Sequence, residues 1–134
     1  MIQLEPGTFV SGQIAASDLA EVAAAGVKTI VNNRPDGEEP GQPAGAEIEA
    51  AARAAGLAYR HIPVAGGISP AQVDAMAEAL VAGPALAFCR SGTRSTFLWA
   101  LARAKQGADG ASLLRAAAEA GYDLNPIRPY LISH

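Results

Sequence analysis

Residues 84–95 read PALAFCRSGTRS, and this stretch decides the fold class. Pro84 to Phe88 is a short apolar run of the kind that forms a buried strand. After Arg94, Leu98, Leu101 and Ala102 recur at helical spacing as far as Gln106. Between strand and helix lies a polar loop that holds the only cysteine of the chain, Cys89. Its residues can wrap an anion around a thiolate, so the question is what that anion is.

Working outward, the same alternation repeats. Residues 8–14 read as a short strand or hairpin interrupted by Gly12. Ser17 or Asp18 caps a helix that runs to Ala25 and stops at Gly26. The β-branched run at 27–31 is a strand, and a Pro/Gly-rich loop, NNRPDGEEPGQP, follows at 32–43. Residues 44–55 are helical with Gly56 as the stop, and 57–64 form the next strand. Ser69-Pro70-Ala71-Gln72 is a helix start: a Ser cap, Pro at the first helical position and Gln three after the cap. That helix ends near Gly83-Pro84. A further helix covers 111–120, stopped by Gly121, and the tail NPIRPYLISH packs as a turn or short helix. Strands alternating with helices give a single α/β domain over 1–134, with a central, mainly parallel sheet of four to five strands flanked by helices. Sites in such sheets form at the carboxyl ends of strands. Segments 32–43, 65–68 and 89–94 are therefore expected to converge.

Composition bounds the function. The chain has 134 residues, half of them hydrophobic, and a net charge of −3. That balance argues against nucleic acid as a partner, because affinity there rests on basic residues neutralising phosphates. One cysteine forms no intramolecular disulfide. The start, MIQLEPGTFV, has no basic segment followed by an apolar core, and no apolar run is long enough to span a bilayer. The expectation is a cytoplasmic protein without a membrane partner. Alanine-rich faces leave a homo-oligomer open.

A cysteine thiol in water titrates near about 8.5. A helix N-terminus and neighbouring arginines favour the thiolate. Cys89–Ser95 places two arginines, one glycine and three hydroxyls within seven residues. Gly92 permits a turn that points successive N–H groups inward, as in an anion nest. Arg94 lies at the first turn of the following helix, and Arg90, Ser91, Thr93 and Ser95 add donors. Cys89 is the candidate nucleophile and Arg94 the residue that holds the anion. The bland alternative is a buried structural cysteine beside a polar helix cap.

CRSGTRS resembles two active loops, that of cysteine phosphatases and that of rhodanese-type sulfurtransferases. The phosphatase signature has five residues between cysteine and arginine and a histidine before the cysteine. Here four residues separate Cys89 from Arg94, and Phe88 stands in place of the histidine. The shorter CRxGxR form resembles rhodaneses, and a shorter loop suits one sulfur atom better than a tetrahedral phosphoryl group. Taken with NNRPDGEEPGQP, YRHIPV and AGYDL, the chain resembles the beta-lactamase-hydrolase-like, phosphatase-like family, also described as sulfur transferases, over residues 9–124. The resemblance implies a dual-specificity-phosphatase-like fold carrying a rhodanese-length loop. Some members of that family are fused to a metallo-hydrolase domain of the persulfide dioxygenase type. This sequence holds no His-rich metal motif, and neither metal nor cofactor is expected.

A phosphatase of this fold needs a general acid to protonate the leaving oxygen. The facing segment 63–68, PVAGGI, contains no acid. Arg34 is a candidate to hold an anionic substrate, and Asp36 to orient Arg94 or serve as a substitute acid, unless Pro35-Asp36-Gly37 is only a solvated turn. Glu38, Glu39 and Asp74 read as surface charge, His61 as structural, His134 as terminal and Trp99 as core or interface. The leading expectation is a sulfurtransferase that forms a Cys89 persulfide from a sulfane-sulfur donor and passes the sulfur to an external thiol. The alternative is a phosphatase acting on a phosphorylated substrate through a phosphocysteine. A third is a non-catalytic binding or redox-sensing module.

Overall fold

The computed structural model describes residues 1–132. Its five strands are β1 (Ile2–Glu5), β2 (Thr8–Ser11), β3 (Thr29–Asn32), β4 (Ala58–His61) and β5 (Ala85–Phe88). They form one sheet in the order β1-β2-β5-β3-β4. β1 runs antiparallel to β2, and the pairs β2–β5, β5–β3 and β3–β4 are parallel. The sheet is thus mainly parallel with five strands. β1 was not read from the sequence: its turn is Pro6-Gly7, with Gly7 at φ 85°, a conformation that favours glycine.

The helices are α1 (Leu19–Ala24), α2 (Gly45–Ala54), α3 (Pro70–Val81), α4 (Thr93–Lys105), α5 (Gly110–Glu119) and α6 (Arg128–Leu131). Period-2 alternation sends neighbouring strand residues to opposite faces. Ile30, Leu86 and Phe88 join Leu19, Val22, Ile48 and Ala52 beneath α1 and α2. Val10, Val31 and Ala87 face the other way and pack with Met76, Leu98, Trp99 and Leu113 beneath α3, α4 and α5. Trp99 is wholly buried in this second layer, and its Nε1 has no hydrogen-bond partner. The α3 start is as the sequence proposes: Ser69 Oγ accepts from Gln72 N at 3.2 Å, and Ser69 N donates to Gln72 Oε1 at 2.8 Å.

The register brings the ends of four parallel strands into one row. Ser11 pairs with Phe88, Phe88 with Asn32, and Asn32 with His61. Four loops therefore leave the same edge: those after Ser11, Asn32, His61 and Phe88. Among the described residues no helix is long and apolar enough to cross a membrane. His134 lies outside the described residues.

Candidate active site

Cys89 is the first residue beyond β5, and its amide donates to Ser11 O at 3.4 Å. The residue is fully buried, and its Sγ accepts from Gly92 N at 3.1 Å. The chain must turn back sharply to bring that amide onto the sulfur, which Gly92 does at φ 94° as it enters α4. Any side chain here is strained by the backbone angle, and a Cβ would also run into the Tyr122 hydroxyl. Tyr122 donates to Ser91 O at 3.0 Å and so braces the loop from outside. Burial, and then the neighbouring Cys89 sulfur, push the Tyr122 hydroxyl above its ordinary range.

Arg94 reaches across from the first turn of α4. Its Nη1 and Nη2 donate to Glu38 Oε2 and Oε1 at 2.7 and 2.8 Å, and Nη1 also donates to Val64 O at 2.8 Å. The Glu38 carboxylate raises the Arg94 pKa, burial opposes it, and the Cys89 charge adds to the rise. Glu38 in turn is lowered to about 2, first by its hydrogen bond to Arg94 and then by that to Arg34.

Glu38 and Glu39 are not plain surface charge, which corrects the sequence reading. Arg34 Nε donates to Glu38 Oε1 at 2.8 Å, Arg34 Nη2 to Glu39 Oε1 at 2.5 Å and Arg34 Nη1 to Gln13 Oε1 at 3.0 Å. Arg90 Nε lies 3.0 Å from the same Glu39 Oε1. Arg34 is only 4% exposed and committed to these partners, so it organises the loop rather than presenting a free cation to substrate. Asp36 is not the group that orients Arg94: its Oδ1 accepts from Gly45 N at 2.7 Å and satisfies an amide at the start of α2. Glu38, two residues further on, takes that place.

The remaining candidates separate by what they touch. Ser91 Oγ and Thr93 Oγ1 are 3.0 Å apart at the exposed side of the loop. Ser95 is fully buried, and its hydroxyl donates to Asn33 Oδ1 at 2.8 Å, which turns it away from any substrate. Asn33, missed in the sequence, also donates from Nδ2 to Ile62 O at 2.9 Å and from its amide to Phe88 O at 2.8 Å. It joins the exits of three strands. Gly12 does more than interrupt its strand: a Cβ there would lie 2.9 Å from Arg90 O. Its absence lets Gln13 N donate to that carbonyl at 3.3 Å. His61 Nε2 lies 3.0 Å from Arg34 O, a structural contact. Asp74 pairs with Lys105 on the surface of α3. Among the described residues, no group of three or more His, Cys, Asp or Glu side chains gathers as a metal site.

The buried sulfur accepts one backbone amide, that of Gly92, at the entrance to the helix that carries Arg94, and similarity to known proteins places this loop in a family. The family model for the beta-lactamase hydrolase-like protein, phosphatase-like domain, matches residues 2–108. The chain belongs to this family. It is 45% identical over 111 residues to a beta-lactamase hydrolase-like protein of Agrobacterium fabrum, covering 79% of this chain and 25% of that one. A Xylella fastidiosa protein of the same description is 40% identical over 110 residues, covering 80% and 26%. The chain thus spans about a quarter of the length of these relatives. Among solved structures, a phosphatase candidate from Neisseria meningitidis is similar at TM-score 0.83 and 34% identity, covering 97% of this chain and 94% of that one. Human DUSP28 shares the fold at TM-score 0.66 and 22% identity, covering 96% and 90%. The fold is therefore that of the dual-specificity and related cysteine phosphatases.

Proposed function

We propose that this phosphatase-like enzyme transfers sulfane sulfur through a persulfide on Cys89. The observation that carries the reading is the state of the one carboxylate at the arginine. Glu38 is clamped between Arg94 and Arg34 and lowered to about 2, so it is ionised at neutral pH and has no proton to give. Asp36 is engaged at α2, and the 63–68 segment contributes a carbonyl, Val64 O, instead of an acid. Hydrolysis of an alkyl phosphate asks for an acid at the leaving oxygen. A thiolate leaves without one.

In the proposed cycle the Cys89 thiolate attacks the outer sulfur of a donor R–S–SH. The Cys89 S–S bond forms, the donor S–S bond breaks and RS⁻ departs, with the proton kept on the transferred sulfur. The amide of Gly92, already 3.1 Å from Sγ, lies beside the new persulfide, with Arg94, which feels the Cys89 charge, one turn further along. With one cysteine in the chain, the acceptor is an external thiolate, which takes the sulfur and restores Cys89. Arg90, Ser91 and Thr93 line the open side. Intact-mass measurement after glutathione persulfide or thiosulfate should show one added sulfur, absent in Cys89→Ser. No adduct with either donor would refute the proposal.

The fold and family favour a second reading, phosphoryl transfer through a phosphocysteine with Arg94 on the phosphoryl oxygens. Turnover of aryl phosphates by wild type but not by Cys89→Ser, without any sulfur adduct, would establish it instead.

A further inference from the structure

Three guanidiniums gather at the mouth of the Cys89 loop, and each is met by a carboxylate. Glu38 takes Arg94 with both oxygens and also Arg34. Glu39 takes Arg34 and Arg90 through one oxygen, Oε1. These acids are held in place rather than free to drift. Gln42 Oε1 accepts from the amides of Glu38 and Glu39 at 3.1 and 3.2 Å, while its Nε2 donates to Pro35 O at 2.8 Å. Arg34, which anchors both carboxylates, is buried. Three positive charges facing two carboxylates leave only one net positive charge around Cys89. One net positive charge does not balance a dianion, whereas a site meant for one is served by a larger excess of basic groups.

We propose that Glu38 and Glu39 act as charge selectors, admitting a sulfane sulfur that carries at most one negative charge, as in a thiol persulfide, and disfavouring dianions such as thiosulfate and phosphate monoesters. This assignment of donor class rests on the sulfur-transfer reading above; the selection against dianions stands without it. Two unit charges a few ångströms apart at a protein surface interact strongly enough to change affinity by roughly tenfold or more. Glu39 is the better probe of the two. Its side chain is 44% exposed, and its removal leaves Arg94 held by Glu38.

The test compares wild type with Glu39→Gln, with folding checked by circular dichroism. Rates of Cys89 persulfide formation are measured with glutathione persulfide and with thiosulfate, and tungstate binding is measured by calorimetry. Wild type should prefer the persulfide. Glu39→Gln should shift the ratio of the two rates toward thiosulfate by about threefold to tenfold and tighten tungstate by a similar factor, both effects shrinking as salt is raised. If Glu39 only steadied the loop, both donors would slow together, the ratio would hold and tungstate binding would not tighten; that result overturns the proposal. If neither donor labels wild-type Cys89, the sulfur-transfer reading fails. The tungstate comparison then decides charge selection by itself: tighter binding in Glu39→Gln supports it and unchanged binding refutes it.

Discussion

Gly92 shows how much one residue can carry. Its φ of 94° turns the chain from the cysteine into α4, its amide faces Sγ, and its bare Cα leaves room for Tyr122. Gly92→Ala strains the backbone and collides with the Tyr122 hydroxyl. The expected cost is about 1–3 kcal/mol in urea unfolding, with loss of Cys89 sulfur loading as the amide moves off the sulfur. Unchanged stability and loading would show that the turn does not need glycine. Glu38 makes a second prediction, in pH. Its carboxyl is lowered from 4.5 to about 2, so its contribution to stability is fully present above 4.5 and is lost as pH falls toward 2. Glu38→Gln should therefore be less stable than wild type at neutral pH, and the gap should close across that acid range. Denaturant midpoints of the two proteins, followed with pH, test this; a gap that stays constant would mean that the ion pair contributes nothing.

At the scale of elements, the strand–loop–helix unit around Cys89 was legible because each part has a local signal. The apolar run, the lone glycine and the helical spacing from Leu98 all lie within a few residues of one another. The 32–43 loop was legible only as a loop. Its fold-back depends on contacts that no local pattern announces: Arg94 meets Glu38 across 56 positions, and Gln42 ties the loop to itself through backbone groups. Without periodicity, Glu38 and Glu39 look like solvated charge, and Asp36, in a good turn sequence, draws attention from them. Asn33 was hidden in the same way, inside a polar run. Because it is fully buried and spans three strand exits, Asn33→Ala should leave Ile62 O and Ser95 Oγ without their partner. Two buried polar groups left unpaired cost about 2–4 kcal/mol. Urea unfolding of the variant measures this directly, and a loss well below that range would mean that water or a shifted side chain replaces the amide.

Across the whole molecule, the parallel sheet supplies one edge where four loops meet, and the part of the chain beyond α5 closes over it from the side. That closure passes through Tyr122, in the AGYDL segment. The segment carries part of the family resemblance, but the role of its tyrosine depends on α5 returning the chain to the cysteine loop, a tertiary arrangement that its five letters do not encode. Two functions meet in this side chain: the ring fills the space above Gly92, and the hydroxyl holds the Ser91 carbonyl. They can be separated. Tyr122→Phe removes one partly exposed hydrogen bond and keeps the ring, so stability should fall by about 0.5–1 kcal/mol with sulfur loading of Cys89 slowed only a few-fold. Tyr122→Ala removes the ring as well, opening the flank of the loop, and loading should fall much further than the additional stability loss accounts for. Loading rates by intact mass, set beside unfolding free energies for the same two variants, decide the matter. If loading tracks stability alone in both, Tyr122 is merely part of the packing; if it falls out of proportion in Tyr122→Ala, the segment after α5 shapes the Cys89 site.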